Sequence, residues 1–220
     1  MANLLPFASG WTHWMSFRLG KPAPRSGEIL DTWRVRNGTA VTLRATHEED
    51  GELIQQLVRG LSLRSRYHRF FYAMHELPAE ILFRFTHNDP RHALNMIVIH
   101  RRNGREEAIA MAQYVTGIHP ECAEFAVVVA DEWQRAGVGR KLLEALTCIA
   151  RSAGVERLEG DILTENEPMQ RMAQKSGFEL EMHPEDPYLY RAVKMLRAIS
   201  QPRCAVPNDM VRSAITNQIL

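Results

Sequence analysis

Six residues, Gln134-Arg135-Ala136-Gly137-Val138-Gly139, constrain this chain most, because of what flanks them. Before them, Phe125-Ala126-Val127-Val128-Val129 reads as a buried strand. After them, Arg140-Lys141-Leu142-Leu143-Glu144-Ala145-Leu146 opens an apolar-striped helix. A strand, a glycine turn and a helix N-terminus together make an anion site. The first N–H groups of the helix have no partner within it, and the helix dipole adds partial positive charge there. The two glycines let backbone approach a phosphate with no Cβ between.

Two nucleotide-binding patterns are excluded at once. The dinucleotide fingerprint asks for a third glycine, and Leu142 stands in its place. The triphosphate loop asks for Gly-Lys-Ser/Thr, which does not follow. A Gly-x-Gly turn also occurs for tight packing alone, so the ligand must be argued from elsewhere in the chain.

The remaining pattern is strand-rich with interspersed helices. Asn37-Gly38 separates the alternating stretches 32–36 and 40–44, which predicts a hairpin with a type I′ turn. Thr46 and Glu49 have capping-box spacing for a helix striped by Ile54, Leu57, Val58 and Leu61. Ser62 restarts a helical segment with Leu63, Tyr67, Phe70 and Phe71 as its apolar set and its arginines as a solvated face. Pro78 opens a short helix with Ile81, Leu82 and Phe85 inward. Strands are predicted at 93–100, 107–116 and 123–129, with Asn103-Gly104 turning the first pair. The helix after Gly139 stops at Gly154, a good residue just past a helix end. A strand at 156–163, a helix opened by Pro168, and strands at 178–183 and 188–195 complete the domain. The order implies an α/β domain with a mixed sheet, not a doubly wound one. Residues 31–196 form that domain, 1–30 an arm or linker, and 197–220 an extension. Trp11, Trp14 and Phe17 give the arm apolar groups to dock on the domain or on a second copy in a homodimer.

Composition narrows the partners. Of 220 residues, 45% are hydrophobic and 24% charged, with a net charge of +1. No global field draws the chain to nucleic acid, and the Arg-rich segment lacks interleaved exposed aromatics. The apolar runs are too short to span a bilayer. Three widely spaced cysteines with no CxxC pair fit a reducing cytoplasm. The nine histidines show no paired ligand spacing, so no metal is expected.

The pattern Gln134-x-x-Gly137-x-Gly139 after a mid-sheet strand resembles the acetyl-CoA pyrophosphate loop of the GNAT superfamily of N-acetyltransferases. A second block, Asn166-x-x-Met169-x-x-Met172-Ala173-x-Lys175-x-Gly177-Phe178, resembles the Asn-to-Gly-Phe helix near the GNAT C-terminus. A third, Leu61 to Phe71 followed by Glu76-Leu77 and the stretch from Pro78 to Pro90, is similar to the bacterial protein lysine acetyltransferases. The similarity covers about residues 35–195. It implies a mixed, mostly antiparallel central sheet flanked by helices, with acetyl-CoA as co-substrate.

The resemblance also implies roles. The pantetheine arm would pair with backbone at Val127 and Val129. The pyrophosphate would sit on N–H groups of Gln134, Arg135, Ala136, Gly137, Val138, Gly139 and Arg140. Asn166 would contact the CoA arm. Glu124 matches the catalytic glutamate, and a base is chemically required: a lysine ammonium, with a pKa of about 10.4, cannot attack until it loses a proton. An N–H near Val127 would hold the oxyanion. The tyrosine that many small-molecule GNAT enzymes use as general acid is replaced by Ala173, with Tyr188 and Tyr190 as late-strand substitutes. Cys122 is a bystander to direct transfer. The implied acceptor is a protein lysine, for example on an acyl-CoA synthetase. The alternatives are a small amine acceptor or a non-catalytic acyl-CoA sensor.

Overall fold

The computed structural model describes residues 24–72, 74–89 and 92–196. Trp11, Trp14, Phe17, Pro90 and the extension 197–220 lie outside the described residues.

The chain opens with β1 (Ile29–Arg34) and β2 (Ala40–Ala45), followed by α1 (Gly51–Gly60), α2 (Leu63–Phe70) and α3 (Ala79–Thr86). Then come β3 (Ala93–Arg102), β4 (Arg105–Thr116) and β5 (Cys122–Val129). After the glycine turn follow α4 (Val138–Ser152), β6 (Arg157–Leu163), α5 (Glu167–Lys175), β7 (Glu179–Met182) and β8 (Leu189–Met195). The strands form one sheet in the order β1-β2-β3-β4-β5-β6-β8-β7. Every neighbouring pair is antiparallel except β5 and β6. The mixed, mostly antiparallel sheet flanked by helices is therefore the one implied by the sequence.

Strand alternation splits the core between the two faces. Leu94, Met96 and Val98 of β3 join Phe125, Leu142, Leu146 and Ile149 on the α4 face. Ile97 and Ile99, one residue out of phase, join Ile54, Leu57, Phe70, Ile81, Phe85 and Val128 on the face covered by α1–α3. Each fully buried aliphatic side chain contributes about 1.5–3 kcal/mol.

Three local expectations are corrected. At Asn37-Gly38 only the glycine takes positive φ (+83°). The Gly38 N–H donates to the Val35 carbonyl (2.8 Å) and the Val35 N–H to Thr39 (3.0 Å), giving a three-residue loop in place of a type I′ turn. The Asn37 side chain accepts the Thr39 N–H at 3.0 Å, an Asx bond that holds this alternative. At Asn103-Gly104 both residues have positive φ (51° and 79°), the type I′ geometry. Second, Thr46 and Glu49 form no capping box; the Asp50 carboxylate accepts the His47 N–H instead (2.8 Å) and pairs with Arg44 at 2.6 Å. Third, α2 is turned from its expected face. Leu63 and Tyr67 are exposed, while Ser65, Arg66 and Phe70 are buried. The reason lies in what α2 covers.

Candidate active site

β5 and β6 pair only from Cys122 to Glu124, against Arg157 to Glu159, and then part. Gly160 sits at the parting point. A Cβ there would lie 2.8 Å from the Phe125 carbonyl oxygen and 2.9 Å from its ring, so only glycine permits this approach. Beyond it opens a cavity of about 1000 Å³.

The backbone polarity of β5 follows from one bond. The Ala130 N–H donates to Ile109 of β4 at 2.9 Å, in register with the Ala110–Val129 pairing. Alternation then turns the N–H and C=O of Val127 and Val129 away from β4, toward the gap. The Val129 carbonyl accepts the Gln134 side-chain amide at 3.2 Å.

The glycine turn closes one end of the cavity. Arg135 (φ 59°) and Gly137 (φ 89°) both take left-handed conformations, and Gly137 caps α4. The first α-helical bond runs from the Lys141 N–H to Gly137, so Val138, Gly139 and Arg140 N–H groups precede the helical ladder. The Gln134 N–H, by contrast, already donates to Asp131 (3.3 Å). Gly139 packs under Met172 and Val129; a Cβ would lie 3.0 Å from the Met172 sulfur. Gln134, Arg135, Gly137, Gly139, Arg140 and Asn166 line the cavity with Glu124, Val127 and Val129. Val138 is buried in the core and Ala136 packs against it, so these two offer backbone only. The Asn166 side-chain oxygen caps α5 by accepting the Met169 N–H at 3.3 Å.

Glu124 is the titratable centre. Its carboxyl is pushed up to about 7, first by burial and next by the negative charge of Asp161. Arg69 opposes the rise, Glu159 adds to it and Arg191 opposes it. The two β6 carboxylates have their own cations: Arg157 lies 2.8 Å from Glu159, and Arg191 3.5 Å from Asp161. A carboxyl poised near neutrality suits a general base.

A polar clamp, invisible in the sequence, joins α2 to this site. Asp131 accepts the Ser62 N–H (2.9 Å) and the hydroxyls of Ser62 and Ser65 (both 2.7 Å). The Ser65 hydroxyl also accepts the Gln134 amide at 3.2 Å. Burial works against ionisation of Asp131, but these hydrogen bonds together hold its carboxyl below the usual range. The buried face of α2 is therefore polar because it reads the loop that leads into the glycine turn. On the same helix, His68 reaches Glu165 at 3.2 Å, spanning from α2 to the turn after β6.

Among the described residues no tyrosine lines the cavity, and Ala173 is fully buried. Among the described residues no cluster of three His, Cys, Asp or Glu side chains could hold a metal ion, and no helix is long and apolar enough to cross a membrane.

Comparison with known proteins agrees with this geometry. Residues 58–178 match the acetyltransferase (GNAT) family. A Pseudomonas aeruginosa acetyltransferase is 24% identical over 150 residues, covering 68% of this chain and 81% of that protein. The GNAT domain of S. lividans PAT superposes with a TM-score of 0.68 at 25% identity, covering 75% of this chain and 96% of that one. A spermidine N-acetyltransferase from Vibrio cholerae, solved with CoA and spermine, shares the fold with a TM-score of 0.56 at 19% identity, covering 71% and 95% of the two chains. With a matching fold, a parted central sheet and a helix-capping glycine turn at the gap, the chain belongs to the GNAT family of acetyltransferases.

Proposed function

We propose that the protein transfers acetyl from acetyl-CoA to a lysine side chain of a protein, with Glu124 as general base. The observation that carries the reading is the Glu124 carboxyl, held near neutrality where β5 and β6 part. The CoA pyrophosphate would lie on the N–H groups of residues 135–140, with Gln134 bracing the loop through its side chain. The pantetheine would take the place of a strand against Val127 and Val129, with Asn166 beside it. Glu124 removes a proton from the lysine ammonium. The amine then attacks the acetyl carbonyl, forming the new C–N bond. The oxyanion is held by the Val127 N–H, which faces the gap. Collapse breaks the C–S bond and releases CoA as a thiolate, a leaving group good enough to need no tyrosine acid, and the second proton on the new amide nitrogen passes to that thiolate or to solvent. The protein acceptor rests on the Leu61–Phe71 block and on the likeness to the S. lividans PAT domain.

Acyl transfer followed by mass spectrometry, with a proteome and a panel of metabolite amines offered side by side, tests this. Acetylated protein lysines with the wild type, lost in Glu124→Gln, are the expected result. Turnover of small amines alone would replace the acceptor assignment, and CoA binding without any turnover would make the protein a sensor.

A further inference from the structure

Arg69 is a charged group of the cavity that acetyl transfer leaves unused. It projects from α2, half-buried, with its guanidinium 4.8 Å from the Phe70 ring centre and 5.8 Å from that of Phe85. Its Nε and Nη2 are enclosed and meet no hydrogen-bond acceptor among the described residues. These two nitrogens carry the parallel N–H pair with which arginine grips a carboxylate. Burial brings the guanidinium down to about 10, and the Glu124 charge works against that fall. No hydrogen bond joins the two.

The two β6 carboxylates beside Glu124 have cation partners. On β6, Glu159 has Arg157 at 2.8 Å and Asp161 has Arg191 at 3.5 Å and His183 at 3.8 Å. Glu124 and Arg69 lie in the same cavity, one suited to an amine and the other to an oxyanion. The aromatic faces hold the cation by its π contacts but give its N–H fork no oxygen. A buried cation with unused donors is costly unless something completes it.

We propose that the Arg69 fork binds a carboxylate carried by the substrate, beside the reaction centre at Glu124. A turn of the long side chain presents the fork to the cavity that Arg69 already lines. The carboxylate belongs either to the acyl group, as the far end of a dicarboxylic acyl chain, or to the acceptor, as an acidic group next to the reacting amine. The proposal rests on the acyl-CoA and amine reading above.

Two arms on the full-length protein test it. The first measures calorimetric binding of succinyl-CoA against acetyl-CoA. The second measures acetyl transfer to paired lysine peptides bearing Glu or Ala beside the lysine. In one arm the carboxylate partner should win by roughly tenfold, as a charge-assisted bidentate contact warrants, and that arm names the source. The preference should fall to about twofold or less in Arg69→Met and survive in part in Arg69→Lys, which keeps the charge without the fork. Wild type without preference in either arm overturns the proposal even if Arg69→Met fails to fold. A preference that persists in a folded Arg69→Met overturns it too. Failure to bind either acyl-CoA instead overturns the acyltransferase reading and takes the proposal with it.

Discussion

Glu124→Gln separates what this residue costs from what it does. In the fold its carboxyl rises from an ordinary 4.5 to about 7, so the native state holds the proton more tightly than the unfolded chain. Stability from this group is therefore fully present below about pH 4.5 and is lost as pH rises toward 7 and beyond. At about 1.4 kcal/mol per pH unit, the loss comes to about 3 kcal/mol by pH 8. Glutamine keeps the shape and never ionises. Urea unfolding from pH 5 to pH 8 should show the variant more stable than wild type by up to about 3 kcal/mol at pH 8, with the difference shrinking toward zero in acid. Over the same range wild-type kcat/KM should climb with a midpoint near pH 7, because only the carboxylate accepts the amine proton. The variant should lose on the order of 10²–10⁴ in rate and lack that limb. A stability difference that is flat with pH, or a limb that survives in the variant, refutes the reasoning.

Three further outcomes follow from the same geometry. Gly139→Val places a branched side chain where a Cβ alone meets the Met172 sulfur at 3.0 Å and Val129 at 3.3 Å; calorimetry should show CoA affinity reduced by about tenfold or more, from steric displacement of the turn. Gly160→Ala drives a methyl to 2.8 Å from backbone oxygen and should cost about 1–3 kcal/mol in thermal or urea unfolding, with a full-strength variant arguing that β6 can shift. Asp131→Ala removes the acceptor of three hydrogen bonds from Ser62 and Ser65, so the acceptor KM should rise severalfold while CoA binding changes less; equal losses in both would deny α2 a separate role.

Local chemistry made much of this structure legible. Strand alternation, Asn103-Gly104, Pro78, Gly154 and the 134–139 turn each specify geometry through neighbours a few residues apart. Glu124 and the turn could be joined because one strand links them. What sequence pattern missed is contact across distance. Ser62 and Ser65 meet Asp131 across 69 and 66 residues, and no local rule ties them. Arg69 and Asp161 act on Glu124 from different elements. The α2 stripe misled for a related reason: helical periodicity assumes an apolar floor, and this helix lies over a cavity and a polar clamp. At Asn37 a side-chain bond to Thr39 outweighed the expected turn.

The short β5–β6 ladder has a further consequence for the life of the chain. Beyond Glu124 the inward edge of β5 is an open strand edge in the middle of the sheet, where most proteins bury or pair such groups. It is apolar and uncharged from Phe125 to Val129 and ends in three β-branched valines, the composition that recruits foreign strands. A cofactor lying along that edge would act as a guard against aggregation as well as a reactant. Loading with CoA should then raise soluble yield and melting temperature together, by simple mass action on the folded state.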